Sequence, residues 1–320
     1  MKKIISLSSI MLLMVLVACS EGSSGDASDY PRQPVTITIP YGAGGTTDMF
    51  FREFADIAEE HLGQNIMIEN ETGGGGLSMY SSLVSAEPDG YTMAGGMGNT
   101  LYAINPHLDL MEQDGDDFTH ILPVMGYQYV IVASTDAPFQ TFDELIEYSK
   151  NNSIDFATPS MNNTIFAELI NQEENFDLQW NTVNYEDDGE TLAAILGGHV
   201  DFAITSPVSV SGAEEAGDIN FLAVTHEEEI ANYPDVSTLQ DLDYNLDLNA
   251  MIGIGGPDGL PDEVVSKWEE VISKTLEDPR LEEFAENNSY SIPEMDRQEA
   301  EEHYEDLREQ FGEVIDRVTE

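Results

Sequence analysis

The chain is poor in basic residues, in cysteine and in long apolar runs. It contains 11 Lys and Arg against 62 Asp and Glu in 320 residues, a formal net charge of −51. Because nucleic-acid binding needs clustered Lys and Arg to neutralise phosphates, this balance argues against a nucleic-acid partner. Hydrophobic residues still make up 41% of the chain, which is too large a share for a disordered acidic protein. The composition predicts a folded protein with a very acidic surface.

The only long apolar run of the sequence lies at its N-terminus, which argues against a polytopic membrane protein. There, residues 1–19 join Lys2 and Lys3 to an apolar stretch that is too short to span a bilayer as a helix. The stretch ends in Leu-Val-Ala-Cys at Cys19, a pattern typical of a bacterial lipobox, in which the cysteine is lipidated. We predict a lipoprotein signal peptide over 1–19 and a flexible tether over 20–31. The protein is then expected outside the cytoplasm, anchored by lipid to the cell membrane.

Cys19 is also the single cysteine of the chain. Beyond it the sequence therefore predicts no disulfide, no thiolate metal site and no cysteine nucleophile. The six histidines show no metal-ligand spacing, and the sequence motifs of zinc proteases, EF-hands and serine hydrolases are absent. We expect no metal, no cofactor and no enzymatic activity.

The acidic residues are spread along all the predicted helices. Carboxylates dispersed in this way typically form a solvated surface, as in proteins that face saline or alkaline water. Their mutual repulsion is weak near 1 M salt, where the Debye length shrinks to about 3 Å. We interpret the charge as an adaptation to the medium, with both salt and alkali open as its cause.

Alternating strands and helices predict an α/β fold. One α/β run is followed by two apolar segments without a helix between them, then by a second α/β run, another apolar segment and C-terminal helices. This order predicts two lobes with a ligand cleft between them, the second lobe being inserted into the first. We place the first lobe at 32–131 and 246–320 and the second at 132–245.

The segment 40–48, PYGAGGTTD, is the most informative loop. Its glycines let the backbone approach a ligand with N–H groups turned inward, and a helix that begins near Thr46 adds its positive dipole end. The hydroxyls of Thr46 and Thr47 can donate to the same ligand or cap the helix. The loop has neither the Lys of a P-loop nor the GxGxxG of a dinucleotide site. It predicts an anion site without a cationic side chain.

Asp48 follows in the first helical turn, four residues before Arg52. One interpretation is an ion pair along the helix, combined with a favourable position for an acid near the helix start. The other is a carboxylate that orients a ligand amine, a hydroxyl or a bridging water. Both interpretations stay open.

The same loop resembles the opening of the tripartite tricarboxylate transporter receptors, also called Bug solute-binding proteins. Their signature of Pro, aromatic, Gly-Gly, Asp and Arg is similar to the segment 40–52. The loop 70–76, NETGGGG, and the turn 86–92, AEPDGYT, also resemble family motifs, and AEPDGYT is the most specific of them. Further matches at 141–145 and 197–201 extend the resemblance from about residue 34 to about residue 315.

The resemblance implies a two-lobed fold of the periplasmic-binding-protein kind, similar to type II, that closes on a small carboxylate. It implies a second ligand loop in ATPSMNNTIFAEL, where a loop again leads into a helix N-terminus. Together with the first loop, it predicts contacts to ligand from Tyr41, Ala43, Gly44, Gly45, Thr46, Thr47, Asp48, Ser160, Asn162, Asn163, Thr164, Tyr185 and Asp187.

Two segments depart from the family pattern. The segment Met161-Asn162-Asn163-Thr164 stands where the family usually has a Gly-x-Gly-Ser pattern, and the acids that follow Tyr185 replace a basic position. The departures weaken the case for a tricarboxylate and leave a monocarboxylate, a dicarboxylate or an amino acid, whose amine would meet Asp187 or Asp48. We expect a monomeric receptor that delivers its solute to transporter membrane subunits. The alternative is a sensory or orphan lipoprotein that binds a carboxylate or amino acid without a transport role.

Overall fold

The computed structural model describes residues 30–319 except 109, 173–177, 186, 228 and 247. The predicted signal peptide, Cys19 and most of the tether therefore lie outside the described residues. The strands are β1 (Val35–Ile39), β2 (Ile66–Asn70), β3 (Thr92–Gly98), β4 (Phe118–Tyr127), β5 (Val130–Ser134), β6 (Ile154–Thr158), β7 (Trp180–Asn184), β8 (Phe202–Thr205), β9 (Ile219–Val224), β10 (Ala250–Pro257) and β11 (Tyr290–Ser291). The helices are α1 (Thr46–Leu62), α2 (Leu77–Leu83), α3 (Asn105–Leu108), α4 (Phe142–Ser149), α5 (Met161–Gln172), α6 (Asp188–Leu196), α7 (Pro207–Ala216), α8 (Asp262–Leu276), α9 (Pro279–Asn287) and α10 (Arg297–Thr319).

The strands form two sheets. The first has six strands in the order β11, β4, β10, β3, β1, β2, and the second has five in the order β7, β6, β8, β5, β9. In the first sheet β1 runs parallel to β2 and β3, while β10 is antiparallel to both β3 and β4. The carboxyl ends of β1 to β4 therefore share one edge. In the second sheet β6, β7 and β8 are parallel and β5 is antiparallel, so the start of β5 lies at their carboxyl edge.

Two chain connections join these edges. β4 passes into β5 through Gln128 and Tyr129 alone, and the return connection enters β10 through Leu248 and Asn249. Hydrogen bonds couple the two connections, since the Thr225 N–H donates to the Tyr129 carbonyl at 3.0 Å and the Leu248 N–H donates to the Thr225 carbonyl at 2.8 Å. The carboxyl ends of both sheets therefore meet around these connections.

Each sheet has its own apolar core. Phe50, Phe54 and Trp268 are fully buried around the first sheet, where the apolar faces of α1 and α8 pack on it. Phe166 and Phe202 belong to the core of the second sheet. The C-terminal helix α10 also packs into that second core through buried side chains, namely Tyr304, Leu307, Phe311, Val314 and Ile315. Within the described residues, no helix has both the length and the apolar character needed to cross a membrane.

Local sequence signals explain several helix boundaries. As predicted, α1 follows the glycine loop; it ends at Gly63, which adopts the left-handed conformation at φ 78°. Thr141 caps α4, because its hydroxyl accepts the Glu144 N–H at 3.2 Å. Three helices, α3, α7 and α9, were not predicted, although α7 and α9 each begin with a proline, Pro207 in α7 and Pro279 in α9.

The Thr141 cap provides a test of local stability. Replacement Thr141→Ala removes the acceptor for the Glu144 N–H, and we expect the free energy of unfolding to fall by about 1 kcal/mol. Urea unfolding followed by circular dichroism measures the change. Thr141→Ser keeps the hydroxyl and should remain close to the wild type, so an equal loss in both variants would contradict the capping account.

Candidate ligand-binding site

Four helices begin at the edges where the sheets meet. α1 follows β1, α5 follows β6, α6 comes shortly after β7, and α7 follows β8. The first N–H groups of a helix lack partners within it and carry its positive dipole end, so helix starts attract negatively charged ligands. The site can be built from the loops that lead into these helices.

The first loop turns its backbone donors outward. Gly44 has φ 81°, a conformation that favours glycine, and the Gly45 N–H donates to the Gly42 carbonyl at 3.2 Å. Within the described part of the chain, the N–H groups of Thr46, Thr47 and Asp48 at the start of α1 have no hydrogen-bond partner. The loop from Tyr41 to Gly45 is exposed, so a ligand can reach these donors.

The carboxylate of Asp48 holds this loop in place. It accepts the Gly44 N–H at 2.8 Å, two guanidinium N–H groups of Arg52 at 2.8 and 2.9 Å, and the Asn70 amide at 2.8 Å. The Asn70 amide also donates to the Tyr41 carbonyl at 2.9 Å. Asp48 is 2% exposed, and these donors occupy both of its oxygens.

These contacts favour the ionised form of Asp48. Chiefly because of the hydrogen bonds from Arg52, with those from Gly44 and Asn70 added, the pKa of Asp48 falls to about 2, although burial opposes the shift. The ion-pair interpretation of Asp48 thus describes its present contacts. Through these hydrogen bonds the carboxylate fixes the conformation of the loop. A direct contact between Asp48 and a ligand stays a prediction.

A cluster of tyrosines lies at the connection between the sheets. The Thr47 hydroxyl is hydrogen-bonded to the Tyr127 hydroxyl, and Tyr41 acts electrostatically on Tyr127. Tyr127 and Tyr129 stack, with ring centroids 6.0 Å apart and planes inclined by 22°. Burial of the hydroxyl raises the pKa of Tyr41, whereas 37% of the residue as a whole is exposed.

The second predicted loop leads into α5. The Ser160 hydroxyl accepts the Asn163 N–H at 3.3 Å, and the Ser160 carbonyl accepts the Thr164 N–H at 3.2 Å. Asn163 is 1% exposed and its amide donates to the Ile204 carbonyl at 2.8 Å, which ties the loop to β8. Asn162 is partly exposed, and its amide oxygen has no partner among the described residues. Of the two asparagines, Asn162 is the more exposed and the one that a ligand could contact.

The third predicted segment, 185–188, contains two adjacent acids that make different contacts. Asp187 is exposed and caps α6 by accepting the Glu190 N–H at 2.8 Å. Asp188 is partly buried and accepts the hydroxyls of Thr205 at 2.6 Å and Ser209 at 3.1 Å. Tyr185, the third predicted residue of this segment, packs on an apolar cluster of the second sheet.

Asp188 acts electrostatically on one residue of the tyrosine cluster. The pKa of Tyr129 is raised well above its usual range, first by burial and then by the electrostatic effects of Tyr41 and Asp188. Asp188, Tyr127 and Tyr129 were missed by sequence reasoning. Two residues are typical of the ends of a helix such as α7, namely Pro207 at its start and Gly217 after its last turn. They could have placed Thr205 and Ser209 beside the start of a helix.

The loops share a lack of positive charge. The segments 40–48, 127–129, 158–164, 185–188 and 205–209 contain no Lys, Arg or His. Arg52, which reaches the first loop from α1, is engaged by Asp48. An anion here would be held by N–H groups, hydroxyls and amides.

Comparison with known proteins identifies the family of the chain. Residues 50–319 match the family profile described as "Tripartite tricarboxylate transporter family receptor". A protein of Cupriavidus necator, named "UPF0065 protein in gbd 5'region", is 29% identical over 264 residues, which cover 82% of this chain and 80% of the relative.

Two solved structures from Rhodopseudomonas palustris resemble the fold. Rpa4515, solved with adipate, has a TM-score of 0.79 and is 22% identical to this chain. The match covers 90% of this chain and 98% of Rpa4515. MatC, solved with bound malate, has a TM-score of 0.72 and is 22% identical to this chain. The match covers 89% of this chain and 99% of MatC. The predicted fold class, α/β with two sheets as in periplasmic solute-binding proteins, is confirmed.

Proposed function

Because the chain belongs to the receptor family of the tripartite tricarboxylate transporters, we propose that it captures a small organic carboxylate outside the cytoplasm. It delivers this solute to the membrane subunits of such a transporter. The receptor is not an enzyme in this proposal, because the site offers donors and shape without a catalytic pair.

The observation that carries the proposal is the convergence of unpaired donors at the sheet edges. The Thr46 and Thr47 N–H groups lie at the start of α1, and those of Met161 and Asn162 lie at the start of α5, without partners in the described part of the chain. A carboxylate has two oxygens that only accept hydrogen bonds, so it suits a site built from N–H groups and hydroxyls.

Closure of two lobes would complete the site. We place the lobes at 32–131 with 246–320 and at 132–245, and the connections at Gln128–Tyr129 and Leu248–Asn249 serve as the hinge. The solute stabilises the closed form by binding donors from both lobes, and the transporter recognises that form. Since α10 packs into the core of the second sheet, closure must occur without separating α10 from that core.

A screen of solutes tests the proposed function. The protein is heated with mono-, di- and tricarboxylates, amino acids and sugars, at low and at near-molar salt. A ligand at 100 times its dissociation constant adds about 2.7 kcal/mol to stability, which raises the melting temperature by several degrees. Stabilisation by carboxylates alone supports the proposal. Stabilisation by sugars alone, or none across the carboxylates at both salts, contradicts it.

Asp188 narrows the class of carboxylate. We propose that its carboxylate, which acts electrostatically on Tyr129, disfavours a second ligand carboxylate near Tyr129 and favours a hydroxyl or an ammonium group. Adipate bound to a relative supplies a probe, and 2-aminoadipate is its matched amino acid. We expect Asp188→Asn to weaken 2-aminoadipate binding three- to tenfold and to strengthen adipate binding. Calorimetric titration of both ligands into the wild type and Asp188→Asn measures these changes in affinity. An equal change in affinity for the two ligands would contradict this role of Asp188.

The anchor at Cys19 is part of the same proposal. A receptor tethered over 20–31 stays near its transporter while it samples solute. Mass spectrometry of the N-terminal peptide of the membrane-bound protein should show a diacylglycerol on Cys19. A chain cut elsewhere, with an unmodified N-terminus, would contradict the anchor and leave the binding proposal intact.

A further inference from the structure

Exposed apolar side chains accompany the unpaired donors at two helix starts. Among the described residues, seven large apolar side chains are exposed, and three of them belong to the loops and first turns that form the candidate site, namely Tyr41, Met49 and Met161. Single exposed apolar residues are normal on a protein surface, whereas several at one site indicate that a ligand or partner covers them. The grouping adds an apolar component to helix starts that supply hydrogen-bond donors.

Met161 combines both components in one residue. It is the first residue of α5, and its N–H has no partner in the described part of the chain. The residue is 42% exposed. Because helical side chains lean toward the start of their helix, the thioether of Met161 lies beside the donors of that start. A carboxylate that accepts the Met161 N–H therefore has its first carbon atoms within reach of a flexible apolar side chain.

Tyr41 exposes its ring in the first loop. Burial of the hydroxyl raises its pKa, whereas 37% of the whole residue is exposed, so the ring supplies much of the exposed area. The ring lies beside Gly96 of β3, since a Cβ at Gly96 would be 3.6 Å from a ring carbon of Tyr41. The ring is therefore held near the carboxyl edge of the first sheet, close to the donors that follow Gly45.

Met49 adds a second apolar side chain to the start of α1. It follows Thr46 by three residues, so the two share a face of the helix, and the Thr46 N–H has no partner among the described residues. Met49 is 38% exposed and leans toward the same helix start. Apolar side chains thus lie beside the donors of both sheets, Tyr41 and Met49 on the first and Met161 on the second.

The charge of the loops disfavours a second carboxylate on the same ligand. The segments 40–48, 127–129, 158–164, 185–188 and 205–209 contain no Lys, Arg or His. Asp188, which is partly buried at the start of α6, adds a negative charge that repels such a group. A carbon chain needs no counter-charge and gains free energy by leaving water.

From these observations we infer that the preferred solute is an aliphatic monocarboxylate, whose chain Tyr41, Met49 and Met161 cover when the lobes close. The carboxylate accepts N–H groups at the helix starts, and the chain lies between the two thioethers and the phenol ring. The inference rests on the proposed function, which names carboxylates as solutes, and it narrows them to those with one charged end and one apolar end.

The dependence of affinity on chain length tests the inference. Titration calorimetry measures the dissociation constants of butanoate, pentanoate, hexanoate and heptanoate, with adipate as the dicarboxylate that matches hexanoate in length. A methylene moved from water into apolar surroundings strengthens binding about fourfold. We expect a gain of about two- to fourfold per methylene across the series, and tighter binding of hexanoate than of adipate.

Substitutions at Met161 separate apolar contact from a structural role. Met161→Gln keeps the length of the side chain and removes its apolar character, so it should weaken heptanoate at least about fivefold more than butanoate. Met161→Leu stays apolar and should preserve the series. Met67→Gln makes the same chemical change at an exposed methionine near the start of β2, away from the ligand loops, and should alter none of the affinities.

Three results would overturn the inference while leaving the proposed function in place. They are equal affinity across the wild-type series, tighter binding of adipate than of hexanoate, and equal weakening of butanoate and heptanoate by Met161→Gln. Absence of binding by every carboxylate would overturn the proposed function together with the inference, so the two failures are distinguishable.

Discussion

Gly45→Glu should reduce carboxylate affinity at least 100-fold while the protein still unfolds in one cooperative transition. Gly45 precedes α1 with φ −77° and ψ 172°, which any residue can adopt. A Cβ there would lie 3.2 Å from the Gly42 carbonyl, close enough to need only a small adjustment. The new side chain would place a carboxylate beside the Thr46 and Thr47 N–H groups. Repulsion at 4 Å amounts to about 4 kcal/mol at an effective dielectric constant of 20, which exceeds the 2.7 kcal/mol of a 100-fold loss.

Two controls separate charge, volume and global effects. Gly45→Gln adds almost the same volume without charge and should cost about tenfold. Gly212→Glu adds the same charge on α7, where a Cβ would have no atom within 4 Å, and should leave affinity unchanged. Titration calorimetry with the most stabilising carboxylate of the screen measures all three variants. Wild-type affinity in Gly45→Glu would remove the first loop from the site.

Asp48→Asn should weaken carboxylate binding at least tenfold and lower the free energy of unfolding by about 1–2 kcal/mol. The estimate of the lost stability follows from the lowered pKa of Asp48. It is set below the value that the pKa change alone would give, because the partner Arg52 is half-exposed and solvent screens the ion pair. Affinity falls because the Gly44 N–H and the Arg52 guanidinium lose their anionic acceptor, so the loop is no longer held. Asp56→Asn makes the same chemical change at an exposed position of α1 and should alter neither quantity.

The pH dependence of this loss has a defined sign. Folding lowers the pKa of Asp48 from 3.8 to about 2. A group with a lowered pKa in the folded state contributes stability above its unfolded pKa and loses it as pH falls toward the folded value. The stability gap between wild type and Asp48→Asn should therefore be constant above about pH 5 and shrink between about pH 4 and pH 2. Urea unfolding at several pH values measures it, and a constant gap down to pH 2 would contradict the ion-pair account.

Local chemistry made the first loop and its helix predictable. Glycines after a strand, threonines at a helix start and Gly63 at its end each specify a backbone conformation within a few residues. The same holds for the Thr141 cap. The fold class followed from the alternation of strands and helices together with the motifs that resemble the family.

Contacts between distant segments were not predictable from local signals. Asp187 and Asp188 are chemically identical neighbours, yet one caps α6 and the other faces Thr205 and Ser209, because adjacent positions at a helix start point about 100° apart. Tyr127 and Tyr129 belong to an apolar run that predicts a chain crossing between the lobes. Only the tertiary fold brings Tyr127 to Thr47 and Tyr129 within the electrostatic influence of Asp188.

The central claim is that a carboxylate binds donors at the starts of α1 and α5 without a cationic side chain. A crystal structure with the most stabilising carboxylate tests it most directly. The account predicts ligand oxygens at hydrogen-bonding distance, about 3 Å, from the N–H groups of Thr46 and Thr47, with further donors from the segment 160–164. A carboxylate held instead by Lys or Arg, or bound away from both loops, would contradict it.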